Sequence, residues 1–175
     1  MFTIRRLSHA VKKGEENVKF QKRKRCKTVN NLLLCDNKYN ILAVSDCIDG
    51  NHHDSFELVE RVQNMIATLD NNTIDYSQSH INADSAFDMK TFIEFVEHHK
   101  MIANIKENKR NSKSVKKIYR YFSDYIYSFR FKVEIVFSWL DTYKRVLNRF
   151  EFLACHFKSW ILLAAALINF RTVFN

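Results

Sequence analysis

Two carboxylates have surroundings that ordinary surface chemistry does not explain. Asp84 closes the segment Ile81-Asn82-Ala83-Asp84 and precedes Ser85-Ala86-Phe87-Asp88. An Asp there can cap a following helix. Asp88 is the better cap candidate, which leaves Asp84 without a structural duty. Glu134 lies among Val133, Ile135, Val136 and Phe137. A carboxylate on an apolar helix face is costly unless it is paired or bound to a cation. Arg130, four residues earlier, offers a helical ion pair, which is the structural reading of Glu134. The chemical reading is a cation site. Mg²⁺ takes oxygen ligands in octahedral geometry, and two such ions about 3.5–4 Å apart can activate water and stabilise the leaving oxygen at a phosphodiester. That chemistry needs one acid at a strand end and another on a following helix, the places that Asp84 and Glu134 occupy.

The charge balance points to the same class of substrate. The formal net charge is +9, and residues 1–27 hold ten Lys/Arg against Glu15 and Glu16. The densest run is residues 19–27, which includes Lys22, Arg23, Lys24 and Arg25. A second cluster comprises Lys106, Lys109, Arg110, Lys113, Lys116 and Lys117. Such clusters attract phosphate backbones by counterion release without reading sequence. A solvated face is the bland reading for one cluster. Two clusters, each beside an expected strand, point to nucleic acid. The Lys22–Arg25 run also resembles a nuclear address, a pattern that any basic strand edge produces.

Other chemistry finds little support. Cys47 with His52 or His53 could form a nucleophile–base pair, but nothing in the sequence orients them. His52, His53, His98 and His99 could bind zinc, but no cysteine joins them at ligand spacing. Cys26, Cys35, Cys47 and Cys155 lack ribbon or redox spacings and read as free thiols in a reducing compartment.

The elements that must position the acids follow from periodicity. Residues 28–35 and 41–48 are apolar runs across a polar turn at 37–39, an antiparallel hairpin. Gly50-Asn51 breaks the pattern. Residues 54–69 read as a helix, with Val59, Val62, Ile66 and Leu69 on one face, Asp54 as N-cap and Glu57 completing a capping box. Residues 81–83 and 101–105 read as strands around a helix at 89–99. Strand, helix, strand, helix, strand implies a parallel section of sheet. After residue 118 the chain reads as helical, with Trp139, Tyr143, Val146 and Phe150 in one stripe beside Leu140 and Leu147. Residues 160–170 are apolar nearly all round and are expected in the core. The 175 residues amount to one domain. The hydrophobic share of 46% excludes disorder as the main state. No apolar run reaches the roughly 18 residues of a membrane span, and no signal peptide is expected.

In order and spacing, several of these pieces resemble the catalytic region of DDE-type insertion-sequence transposases, a bacterial superfamily with a ribonuclease-H-like core. The resemblance runs from about Ser8 to about Arg171. Lys27-Thr28-Val29-Asn30-Asn31-Leu32, Gly50-Asn51-His52-His53-Asp54, Asn82-Ala83-Asp84-Ser85-Ala86-Phe87-Asp88 and residues 102–111 all contribute. Most specific is Tyr127, two residues, Arg130, three residues, Glu134. The resemblance implies an α/β fold, a ribonuclease-H-like mixed sheet flanked by helices with a helical C-terminal part. It implies metal-dependent DNA strand cleavage and transfer, with Asp84 and Glu134 as catalytic carboxylates holding Mg²⁺ or Mn²⁺. Tyr127 and Arg130 would place the DNA backbone or Glu134, and Lys109 and Arg110 would hold phosphate. His53 and Asp54 would lie where the sheet edge faces the site. The partner would be DNA, specifically insertion-sequence ends, with a homodimer as a further expectation, no membrane, and a cytoplasmic, nucleoid-associated location. The family's first aspartate usually precedes Gly, then Ser or Thr, then His. Ser8-His9 follows Arg6-Leu7, so Arg6 stands at the aspartate's place and activity is expected to be impaired. The chain is also expected to be truncated at its N-terminus, with a basic segment at 1–27. The alternative is a non-catalytic nucleic-acid-binding remnant that uses the two basic clusters.

Overall fold

The structure is a computed structural model and describes residues 1–108 and 121–174. Lys109, Arg110 and the cluster members 113, 116 and 117 lie outside the described residues. The first strand, β1 (Phe2–Val11), is the centre of the sheet. It contains Arg5 and Arg6, and it survives them because every other residue faces the same side. Phe2 and Ile4 enter one core, while Leu7 enters the other. β2 (Lys19–Gln21) and β3 (Cys26–Asp36) follow, and β1 runs antiparallel to β3 from Phe2 opposite Asp36 to Ala10 opposite Thr28. β3 is buried on both faces. Leu32 and Leu34 belong to one core, Val29, Leu33 and Cys35 to the other, which explains its continuous apolar run.

β4 (Ile41–Val44) and β5 (Ile48–Asp49) pair antiparallel with β3 in turn. The expected hairpin is therefore present, but residues 45–47 split its second strand. Gly50 follows β5 at a close approach. A Cβ on it would lie 2.3 Å from the Thr28 carbonyl oxygen of β3, so only glycine lets the next loop leave the sheet here. α1 (Leu58–Asn71) then packs on the sheet through Leu58, Val62, Met65, Ile66 and Leu69. It starts later than expected. Glu57 takes a left-handed φ of 49° and caps nothing with its side chain, and Asp54 is used elsewhere, as described below.

β6 (His80–Ala83), α2 (Lys90–His98) and β7 (Ile102–Ile105) complete the parallel section. The order across the sheet is β2, β3, β1, β6, β7, with β4 and β5 also on β3 and β8 (Asn148–Arg149) also on β1. Three antiparallel strands followed by two parallel crossovers is the expected ribonuclease-H-like mixed sheet.

Helices cover the second face. α3 (Asp124–Ser128) runs through a tight turn at 129–131 into α4 (Lys132–Leu140), and α5 (Lys144–Leu147) and α6 (Ala154–Phe174) follow. The expected aromatic stripe is interrupted, because the chain turns between α4 and α5. Val136, Leu140 and Val146 are buried, while Leu147 and Phe150 are each 43% exposed. The expectation that residues 160–170 are enclosed is also corrected. Phe157, Ile161, Ala164 and Ile168 face the core, but Leu163 and Phe170 are 51% and 62% exposed. α6 is long and apolar enough to cross a membrane by length and composition, and in the fold one side of it packs against α4, α5 and β4. Among the described residues all four cysteines are free thiols.

Candidate functional site

β1 and β6 pair only at Phe2 with Ile81 and Thr3 with Asn82. Beyond that they diverge. β8 takes up the same edge of β1 only at Ala10 and Val11. The gap between β6 and β8 opens a polar cleft of about 480 Å³ at the rim of the sheet. Arg5 lies two residues past the last pair on β1, and Asp84 two residues past it on β6. They therefore face each other across the mouth of the fork.

α4 brings Glu134 to the same place. The Arg5 guanidinium contacts Glu134 Oε1 through Nη1 and lies 3.5 Å from Asp84 Oδ2 through Nε. Arg130 Nη1 donates to Asp84 Oδ1 at 2.9 Å. The two acids predicted from sequence thus converge, and both meet one arginine. The helical pair offered between Arg130 and Glu134 is replaced by this long-range pair with Asp84. Asp84 occupies the N-cap position of the turn Ser85–Phe87, but its side chain caps nothing. Its carboxylate is free to face the arginines.

Side-chain exposures of 24% for Arg5, 32% for Asp84 and 44% for Glu134 leave these pairs screened by water. Each contributes no more than about 1 kcal/mol to stability. The cluster's balance of charge therefore matters more than its strength. Two carboxylates meet two guanidinium groups, so the local charge is close to zero.

The arginine that meets the acids is not the one the motif spacing singled out. Alternation along β1 turns Arg6 to the opposite face. There it forms an ion pair with Asp54 and donates to the His52 carbonyl oxygen at 3.3 Å. Asp54 thus clasps the loop instead of capping the helix, and with Arg6 it lines the same cleft, as expected for the edge that faces the site. His53 bonds only locally, its Nδ1 lying 2.9 Å from Ser55 Oγ.

Tyr127 and Arg130 are placed by a device that sequence reading missed. Asn82 on β6 and Asn104 on β7 are fully buried in otherwise apolar strands. Asn104 Nδ2 donates to Asn82 Oδ1 at 2.8 Å, and Asn82 Nδ2 donates to the Ile126 carbonyl at 2.9 Å. The Ser123 amide donates to Asn104 Oδ1 at 2.8 Å. These bonds seat α3 on the ends of β6 and β7. An Asn at the same position of two adjacent apolar strands was the available signal, since buried amides need partners. The Arg130 guanidinium carbon then lies 4.8 Å from the Tyr127 ring centroid and 4.5 Å from that of Phe131. These cation–π contacts fix its fork toward Asp84. Burial raises the Tyr127 hydroxyl above its ordinary range, with Arg130 opposing.

The basic run at 22–25 forms an exposed turn, and Arg23 and Lys24 reach the cleft wall. Lys24 Nζ donates to the Ser8 carbonyl at 2.8 Å. Its ammonium is pushed down chiefly by burial. Asp141, also in the wall, is pushed up by burial, with Lys24 opposing. His9 closes the floor. Its Nδ1 bonds the Val146 carbonyl at 2.7 Å, and burial lowers its pKa to about 4, so the ring is neutral near pH 7.

The donor set does not fit a divalent ion. Asp84 and Glu134 are the acids at the rim, β1 places an arginine against both of them, and no group of three or more His, Cys, Asp or Glu that could hold a metal is found among the described residues. Octahedral Mg²⁺ is held by hard oxygen donors. Here the guanidinium already lies against those oxygens.

A family model described as "DDE superfamily endonuclease" matches residues 2–169. Endonucleases of that superfamily generally use divalent metals. No curated protein matches the chain. Among solved structures, "Mos1 transposase paired-end complex with left transposon end" is similar over 98% of this chain and 52% of that one, at 10% identity and a TM-score of 0.43. The chain spans about half the length of that protein.

Proposed function

The chain belongs to the DDE superfamily endonuclease family, and from that premise we propose that it handles DNA in transposition, with strand cleavage impaired. One observation carries this reading: Asp84 and Glu134, far apart in sequence, meet through Arg5 at the rim of the sheet beside the basic turn. Arg23 and Lys24 on the cleft wall, with Lys22 and Arg25 beside them, supply cations for a phosphate backbone. Lys109 and Arg110 are further phosphate-binding residues in this reading. Tyr127 and Arg130 orient the backbone over Asp84. Impairment follows from β1, whose ten residues contain no acid.

The test has two parts. Binding of a fluorescent DNA duplex, read by anisotropy, should weaken steeply with salt and disappear on charge reversal of residues 22–25. Binding that ignores both changes would sink the DNA reading. Supercoiled plasmid with Mg²⁺ or Mn²⁺ should stay unnicked by the natural chain, and efficient nicking would contradict the impairment. Gain of nicking in Arg5→Asp would identify the missing ligand's place.

The alternative, a non-catalytic DNA-binding remnant, is favoured over the impaired enzyme if Arg5→Asp binds DNA and still does not nick it. A second copy of this chain is a further proposed partner, supported by the exposed apolar side of α6, and light scattering reports it. A cytoplasmic, membrane-free location is proposed because the opposite side of α6 is packed into the fold.

A further inference from the structure

Two carboxylates that converge need a counter-charge, and here a guanidinium already supplies it. We propose that Arg5 is a tethered replacement for the divalent ion: its guanidinium holds Asp84 and Glu134 together, and the natural site takes up no Mg²⁺ or Mn²⁺. This deepens the proposed function and rests on it only for the meaning of the site, not for its test.

Three observations support it. The first is position. Arg5 lies on the central strand at the mouth of the fork, in step with Asp84, and its side chain spans to α4. It links the strand end and the helix, the two elements that a shared ion would bridge. The second is charge. Arg5 and Arg130 together match the two carboxylates, so a divalent cation would enter an electrostatically neutral cluster and would have to displace a bound guanidinium. Removal of Arg5 leaves two carboxylates against one arginine, and the site becomes attractive to a cation. The third is support. Arg130 lies against Tyr127 and Phe131 and pairs with Asp84, which leaves Glu134 to Arg5. Arg5 alone bridges both acids among the described residues.

A consequence follows for DNA. An acidic pair without a counter-ion repels a phosphate backbone. Neutralised by Arg5, the rim accepts that backbone without a metal.

The test is Mn²⁺ binding to the full chain without DNA, read from the electron paramagnetic resonance signal of free Mn²⁺. The natural chain should leave Mn²⁺ free. Arg5→Ala should bind it at least tenfold more tightly, and Arg5→Ala combined with Glu134→Gln should lose the gain. Equal binding by the natural chain and Arg5→Ala overturns the proposal, as does no binding by a folded Arg5→Ala. If Arg5→Ala folds only when Mn²⁺ is present, the ion is replacing the guanidinium and the proposal stands. If it stays unfolded in both conditions, Arg5→Gln, which keeps length and polarity, is put through the same titration with the same two outcomes. Failure of DNA binding in the anisotropy assay would remove the proposed function and leave this titration unchanged.

Discussion

Arg5 and Arg6 are neighbours of the same type on one strand, and the fold uses them for different purposes. Arg6 faces α1 and clasps Asp54, fixing the loop that Gly50 releases from the sheet. Around it the chain is structural: Arg61 of α1 is buried, donates to Ser45 Oγ at 2.9 Å, and is lowered to about 10 by burial. Both arginines line the open cleft, but Arg5 faces α4 and meets two acids there. The strand's period of two separates a stabilising arginine from one that sets the chemistry of the rim.

The largest effect should come from Gly50→Ala, on the structural side. The added methyl meets the Thr28 backbone, and we expect a loss of about 3 kcal/mol in urea denaturation. A loss below about 1 kcal/mol would mean that the loop is not pinned as described.

Acid should sharpen the contrast next. His9 has its pKa lowered from 6.5 to about 4. The unfolded chain therefore binds a proton before the folded one. The stability that a neutral, buried His9 contributes is whole above pH 6.5 and is lost as pH falls toward 4. The expected loss is roughly 3 kcal/mol. His9→Gln should flatten that part of the pH profile, and an unchanged profile would remove His9 as its source.

A smaller effect distinguishes the two arginines directly. Arg6→Met leaves Asp54 partly buried and unpaired, and should cost about 1–2 kcal/mol. Arg5→Met should cost less, about 1 kcal/mol or under, because its acids are better solvated. Equal or reversed costs, measured by chemical denaturation, would break the comparison.

Legibility follows the same division. The parallel strands and their helices could be read because β6 and β7 are short apolar runs bounded by turns. Asp84 could be read because it had no cheaper explanation, whereas Glu134 also offered a helical pair with Arg130, which the fold gives to Asp84. β1 could not be read as the central strand: two adjacent arginines hide an alternation in which each serves a different face. The start of α1 was misplaced because Asp54, a good cap by type, is spent on Arg6. The stripe from Trp139 to Phe150 failed as one helix because the chain turns after Leu140 and re-forms at Lys144. The enclosure expected for α6 failed because periodicity reports apolar content but does not count the available neighbours. The Asn82–Asn104 pair is hard to read because it exists only through the register of β6 on β7, which the sequence does not display.

The central claim is that Asp84 and Glu134, on separate elements, share one guanidinium. A double-mutant cycle tests it directly, with Arg5→Met and Glu134→Gln made singly and together and stability measured in urea at neutral pH. The account predicts that the double variant costs less than the two single costs added, by roughly 0.5–1 kcal/mol. The same cycle with Asp84→Asn should show a coupling of the same sign. Strict additivity in both cycles would mean that the two acids do not meet at Arg5.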